Sequence, residues 1–463
     1  MCGWARFGTG PRAPEGIVCC HPSRGVPVDW LLRWSLTSGP LPWFIAALGA
    51  VGGLWLLLAP TTDPRRYRQR AIPLAAAVAL GCTALLWVVV EKWWRPFPDP
   101  IETEIYVWIG LGILAVALLV ARLLLDRRVW RAVVSVLATV AVAAAAGAQI
   151  NLVFAAYPTV RDVLGLPNPN EIAFGEVPPP TPDPITGVPL ESVWRPPADL
   201  PTEGRVTTVS IPGVASGFGA RDAQIYLPPA YFADPRPELP VLVLLAGQPG
   251  SPADWFNGGR LAQTMDDFAA KHGGLAPVVV VADGTGSQLA NPLCLDSKLG
   301  NVATYLAEDV PDWVKSHLEV NRDPRTWAIG GLSYGGTCSL QMATNHPDLY
   351  PTFLDLSGQE EPTLGGRART VDEAFGGDAS KFAAVNPMDL MAARTYPDTA
   401  GVFVVGSDDG EYRPGAERVY QAAKAAGMDV QYVELPGGHS FAVWSAGLER
   451  ELGWLATRMG LIS

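Results

Sequence analysis

Thr326-Trp327-Ala328-Ile329-Gly330-Gly331-Leu332-Ser333-Tyr334-Gly335-Gly336 is a short apolar run that closes on glycines, and TCSLQMATNH follows at 337–346. The first part has the composition of a buried strand and the second reads as a helix. Between them lies a G-x-S-x-G, Gly331 to Gly335. On a tight strand-to-helix turn, a serine projects its hydroxyl above the sheet. The flanking glycines are needed there because any side chain would clash. The helix also points its positive end at the hydroxyl. Without that context the pattern is only a glycine-rich turn with an idle serine.

Working outward, VLVLLAG (241–247) and VVVVADG (278–284) are continuous apolar runs ending in glycine, which suits strands buried on both faces of a sheet. VTTVSIPG and AQIYLPPAY, at 206–213 and 223–231, read as two strands near a sheet edge. Helical stretches at 254–273 and 304–320 separate the apolar runs. Beyond the serine come TFLDLSG, GVFVVGSDD, the helix GAERVYQAAKAAG, VQYVELPGG and a last helix near 442–459. Alternating strand and helix predicts an α/β domain over 204–463, with a mostly parallel sheet covered by helices on both faces.

The first part of the chain has a different composition. Of the 463 residues, 49% are hydrophobic and only 17% charged, against about a quarter charged in an ordinary soluble protein. The deficit sits in four apolar runs, about 41–60, 72–90, 105–125 and 130–154. Each is near the roughly 20 helical residues that cross a bilayer, and each lacks the polar face of a globular helix. They predict a four-helix transmembrane domain over 41–154. Arg65, Arg66, Arg68 and Arg70 follow the first run, and Arg122, Arg127, Arg128 and Arg131 follow the third. Both clusters are expected to face the cytoplasm. The loop between holds Lys92 and Arg95 but also Glu91, Asp99, Glu102 and Glu104, and reads as outside, with Trp93, Trp94 and Trp43 as interface anchors. This places the N-terminus and everything after residue 154 outside the cell, on a multi-pass protein of the cell membrane. The few ionisable residues in the runs argue against transport.

Residues 1–40 give no clean signal peptide. Residues 1–25 read unlike the start of a membrane protein, and a start codon assigned too far upstream is one expectation. AAAAGAQ at 143–149 reads as a small-residue packing face, though its spacing also fits a signal-peptidase site. Residues 155–203 are proline-rich and predict a linker, either a spacer or a segment draped over the domain.

The net charge of −11 argues against a nucleic-acid partner. No pattern for a metal, nucleotide or haem is present, so no cofactor is expected. Oligomeric state is not readable. Of the six cysteines, Cys2, Cys19, Cys20, Cys82, Cys294 and Cys338, only the last two lie in the soluble half. Outside the cell a Cys294–Cys338 disulfide would persist and would tie a loop to the nucleophile helix. Cys82 reads as a packed residue in an apolar run.

A serine needs a base to take its proton. The five histidines are His21, His272, His317, His346 and His439. His21 precedes the membrane part, and His272 and His317 fall near helix ends on the outside of the fold. His346 ends the nucleophile helix. His439, in ELPGGHSF after the last strand, has the chain order expected of the base. The acid should follow GVFVVG, where Asp408, Asp409 and Glu411 are all candidates and Asp409 has the favoured spacing. Two N–H donors are required for an oxyanion. Tyr334, after the nucleophile, supplies one. Gln248 is the better source of the second, because Pro249 has no N–H.

The stretches DVPDWVKSHLEVNRDPRTWAIGGLSYGG (309–336) and NHPDLYPTFLDLSG (345–358) resemble the core of the esterase family of α/β-hydrolases. That family includes S-formylglutathione hydrolases (esterase D), feruloyl esterases and mycobacterial mycolyltransferases. NPLCLDS, GGTCSL and PGGHSFAVW look like actinobacterial cell-surface esterases with multi-span N-termini. The resemblance covers about 204–460. It implies an α/β-hydrolase fold, a triad of Ser333, His439 and an acid near Asp409, and ester chemistry. Mycolyltransferases are usually secreted without such a membrane part, which sets this chain apart from them. The expected activity is therefore hydrolysis of lipid or cell-envelope esters, aminoacylated or acylated glycerolipids among them. Acyl transfer to a sugar or lipid hydroxyl is the alternative. A non-catalytic membrane scaffold or sensor is the reading from another class.

Overall fold

The computed structural model describes residues 29–463. Cys2, Cys19, Cys20 and His21 lie outside the described residues, as does most of the segment 1–40. Among the described residues, four helices are long and apolar enough to cross a membrane: Pro40–Leu58, Pro64–Trp94, Thr103–Leu125 and Val129–Phe154. The second begins earlier than its apolar run suggests. Asp63 caps it by accepting from the Arg66 N–H, with Pro64 in the first turn. Arg65, Arg66, Arg68 and Arg70, expected in a loop, are therefore helical, since arginine is a good helix former and Asp-Pro is a start signal. Arg122 and Arg131 likewise sit inside helices.

The bundle packs through small residues. A Cβ on Gly49 would come within 2.3 Å of the Ala145 Cβ, and one on Gly52 within 2.6 Å of the Ala138 carbonyl oxygen. The first and fourth spans thus touch backbone to backbone, the usual means of helix association where burial from lipid gains little. The 143–149 stretch lies within this fourth helix. Arg122 is buried among the helices. Its guanidinium donates to the carbonyls of Leu56 and Ala59 at 2.9 and 3.2 Å, satisfying the open end of the first span.

The up-and-down course puts three things at one end of the bundle: residues 29–39, the connection 95–102, and everything after Phe154. A bridge between Ser35 and Thr159 joins two of them. The segment after Phe154 lies over the surface of the α/β domain. Thr181 donates to Glu319, Arg236 donates to the Pro179 carbonyl, and the buried Trp194 indole donates to the Gly273 carbonyl.

The sheet has eight strands: β1 (Arg205–Val209), β2 (Ala223–Leu227), β3 (Val241–Leu245), β4 (Val278–Ala282), β7 (Trp327–Leu332), β8 (Thr352–Leu356), β9 (Ala400–Gly406) and β10 (Asp429–Leu435). The short β5 (Asp296–Ser297) and β6 (Gly300–Asn301) form a separate ribbon. Order in the sheet is β1-β2-β4-β3-β7-β8-β9-β10. The first three are joined antiparallel, the rest parallel. Every residue of β3, β4, β7, β8 and β9 is buried, as the unbroken apolar runs require. β7 lies centrally, so its C-terminal end opens over the middle of the sheet.

Candidate active site

Ser333 follows β7 directly and begins the helix Tyr334–Asn345. Its backbone is at φ 54°, ψ −119°, a strained conformation for a residue with a side chain. The glycines around it are fixed by space. A Cβ on Gly331 would meet the Gly335 carbonyl carbon at 2.3 Å, and one on Gly335 would meet the Leu245 oxygen at 2.2 Å. The turn can close only because both lack side chains. Ser333 N–H donates to the Leu356 carbonyl at 2.7 Å, locking the turn to β8.

His439 stands on the loop after β10 and Asp409 on the loop after β9, so the C-terminal ends of β7, β9 and β10 converge on one point. His439 Nε2 is 2.9 Å from Ser333 Oγ. His439 Nδ1 is 2.9 Å from Asp409 Oδ2. Asp409 is buried and also accepts from the Tyr412 N–H at 3.1 Å. Of the three acid candidates, only Asp409 reaches the histidine. Asp408 is exposed at the surface, and Glu411 lines the neighbouring cavity without contacting the ring. The other described histidines are elsewhere. His272 pairs with Glu191, and His317 stacks on Trp313. His346 follows the nucleophile helix, and burial pushes it below its ordinary pKa.

Tyr334 and Gln248 flank the serine from two sides, and among the described residues neither backbone N–H is engaged by another group. Gln248 closes the turn after β3. Its side chain donates to the carbonyls of Leu289 and Pro96 at 2.9 and 3.3 Å. The Tyr334 phenol has a separate use: it donates to the Gly284 carbonyl and accepts from the Cys294 N–H. Cys294 is bonded to Cys338, with Cα atoms 5.5 Å apart, so the 284–294 loop is tied to the nucleophile helix twice.

Sequence reading missed three neighbours of the site. Tyr412 stacks on the His439 ring, with centroids 3.8 Å apart and planes 18° from parallel. Trp444 meets the same ring edge-on at 4.9 Å. Burial pushes the Tyr412 hydroxyl well above its ordinary pKa, and the Asp99 carboxylate beside it adds to the rise. Tyr412 could have been suspected from its place after the acid. Asp99 carries no such signal, being over 300 residues from Tyr412 in the chain.

A cavity of about 410 Å³ lies over Ser333 and His439. Gly247, Leu332, Phe441 and Trp444 form part of its wall, and residues 97–102 of the connection between the second and third spans form another.

The "Putative esterase" family model matches residues 219–455. A protein of Corynebacterium glutamicum described as uncharacterised is 41% identical over 416 residues, which cover 88% of this chain and 93% of the relative. Among solved structures, a ferulic acid esterase aligns at 18% identity and TM-score 0.49, covering 55% of this chain and 98% of that one. The S-formylglutathione hydrolase of Agrobacterium tumefaciens aligns at 18% and 0.47, covering 56% and 97%. MPT51 of Mycobacterium tuberculosis aligns at 18% and 0.40, covering 54% and 97%. With over half its length matched by the family model, the chain belongs to the esterase family and carries that family's α/β-hydrolase fold.

Proposed function

We propose that the chain is a membrane-anchored serine esterase that hydrolyses ester bonds of lipid or cell-envelope substrates on the extracytoplasmic side. The observation that carries the reading is the unbroken chain of contacts from Ser333 Oγ through His439 to the buried Asp409, at 2.9 Å each. In this reading His439 Nε2 takes the Ser333 proton as Oγ attacks the ester carbonyl carbon. The carbonyl electrons move onto oxygen, where the N–H groups of Tyr334 and Gln248 receive them. Each such donor is typically worth about 3–4 kcal/mol in the transition state. Collapse breaks the carbonyl-to-alkoxy bond, and His439 returns its proton to the leaving alkoxide. An acyl-Ser333 remains. Water repeats the sequence, giving up a proton to His439, and releases the acid. Asp409 holds the Nδ1–H tautomer and stabilises the imidazolium that forms twice per cycle.

The side of the membrane is argued from the arginines. Arg65, Arg66, Arg68, Arg70, Arg127 and Arg128 fall at the bundle end opposite the α/β domain, and such clusters stay cytoplasmic. In this reading residues 155–203 link bundle and domain, and 204–463 form the catalytic unit.

Two measurements test the proposal. Full-length protein in detergent should be labelled by a fluorophosphonate probe, and Ser333→Ala should not. An unlabelled, folded parent sinks the esterase reading. An alkaline phosphatase fused to the C-terminus should be active in intact cells, and a silent fusion reverses the orientation.

A further inference from the structure

An anchor needs no contact with the active site, since a flexible tether would hold the enzyme at the bilayer equally well. Here the connection between the second and third spans is bound down over the catalytic serine. The Asp99 Oδ2 accepts from Gln359 Nε2 and from the Tyr412 hydroxyl, both at 2.6 Å. The Pro96 carbonyl accepts from Gln248 and the Gly365 carbonyl from Arg95, each at 3.3 Å. Tyr412 in turn stacks on His439. A charged carboxylate accepting two short hydrogen bonds is a strong fastening, and it sits one side chain from the base.

What this loop closes is largely apolar. Phe97, Pro98 and Ile101 face the cavity from the loop, and Ile105 and Phe154 continue the wall into the membrane helices. Ile105 lies in the first turn of the third span and Phe154 is the last residue of the fourth. The cavity wall therefore runs from Ser333 to the bilayer edge. Its volume, about 410 Å³, lies in the range of small-molecule sites.

We propose that Phe97, Pro98, Ile101, Ile105 and Phe154 of the membrane part are substrate-binding residues, and that the chamber they close takes the hydrocarbon chain of a bilayer lipid ester. Asp99 is a positioning residue that holds this wall in place. The inference rests on the esterase reading and adds the substrate's apolar part to it. An ester carbonyl at Ser333 then has its tail beside the lipid phase, so the substrate need not leave the membrane fully.

The test uses full-length protein in nanodiscs, with p-nitrophenyl acetate and p-nitrophenyl decanoate as probes. The readout is the ratio of kcat/KM for the long ester to that for the short one. Ile105→Trp, which fills the chamber, and Asp99→Ala, which frees the wall, should each lower this ratio at least about tenfold. Asp99→Asn keeps one acceptor oxygen and should recover part of it. Phe97→Ala serves if Asp99→Ala does not fold. A ratio within about twofold of the parent in Ile105→Trp and in the wall variant overturns the inference while leaving the esterase reading intact. A parent that cleaves neither ester and takes no fluorophosphonate overturns both.

Discussion

The two halves of this molecule treat the same side chains in opposite ways. In β3, β4 and β7 the Val, Leu and Ile side chains are 0–2% exposed, whereas in the spans Trp43, Leu80 and Leu124 are 79, 73 and 78% exposed. Water forces the first arrangement, because burying apolar surface is the main drive to fold a soluble domain. In the proposed membrane setting lipid removes that drive, and the bundle turns apolar residues outward and holds together through small residues and buried polar contacts instead. The contrast extends to chemistry. The strand ends of the sheet half bring Ser333, His439 and Asp409 together, the proposed nucleophile, base and acid. The membrane half contributes no reacting group, but it does contribute a wall to the same cavity.

If the reacting groups belong wholly to the sheet half, removing them should stop the reaction whatever the membrane half does. Ser333→Ala and His439→Ala are each expected to lower kcat by about 10⁶, measured on p-nitrophenyl acetate with full-length protein. Residual activity near the parent level would mean that another nucleophile acts. The acid sharpens the point. Asp409→Asn should cost about 10⁴ in kcat by favouring the wrong histidine tautomer. Asp408→Asn, at an exposed neighbouring position, should stay near the parent rate. Equal losses in the two would break the assignment of the acid.

A buried ionisable group can be carried in two ways, and Asp355 of the sheet half shows the first. It lies on β8, is pushed up to about 7 from an ordinary 3.8 by complete burial, and accepts a hydrogen bond from the Gly358 N–H that acts in the opposite sense. The fold thus favours the neutral acid. Its contribution to stability is fully present below about pH 4, where the unfolded chain also keeps the proton, and is lost as the pH rises towards 7. Each pKa unit is worth about 1.4 kcal/mol, so the change is on the order of 4 kcal/mol across that window. The denaturation midpoint of the sheet half, followed by tryptophan fluorescence, should fall between pH 4 and 7. Asp355→Asn should flatten that part of the curve, and an unchanged slope would assign it to other groups.

How much of this could be read in the sequence follows the same division. The nucleophile turn was legible because its glycines, strand and helix are consecutive, and local sterics dictate them. His439 could be placed because a loop after the last strand has one position in the chain order. Asp409 remained one of three, since Asp408 and Glu411 differ from it only in where the loop aims each side chain. The apolar runs were legible as spans, yet their ends were not: Asp63-Pro64 starts the second helix well before its apolar run, and arginines expected in loops are helical. The contact of Asp99 with Tyr412 was out of reach. It joins two polar residues whose nearness depends on how bundle and sheet dock, and no local pattern encodes that.

Arg122 shows the second way of carrying a buried group, and tests it with the smallest expected effect. A guanidinium keeps its charge under all ordinary conditions, so neutralisation, the route taken by Asp355, is closed to it. Arg122 is instead surrounded by acceptors: the carbonyls of Leu56 and Ala59, and the Ser135 hydroxyl at 3.2 Å from Nε. Those carbonyls end the first span and have no intrahelical donors. Arg122→Leu removes the charge and leaves the Ala59 carbonyl unpaired, while the Leu56 carbonyl keeps the Tyr67 hydroxyl as a donor. Hydrogen bonds to charged groups are worth about 1.5–3 kcal/mol net, and the relief of burying a charge offsets part of this. The net loss should be about 2 kcal/mol, seen as a lower thermal midpoint of the full chain in detergent. Labelling of Ser333 below the transition should not change, because the bundle end at Arg122 is opposite the cavity. Arg122→Lys should recover only part of the midpoint, since a single ammonium cannot span the acceptors that the planar guanidinium reaches. A midpoint unaffected by Arg122→Leu would mean that water reaches those carbonyls, and that this end of the bundle is less sealed than the sheet half.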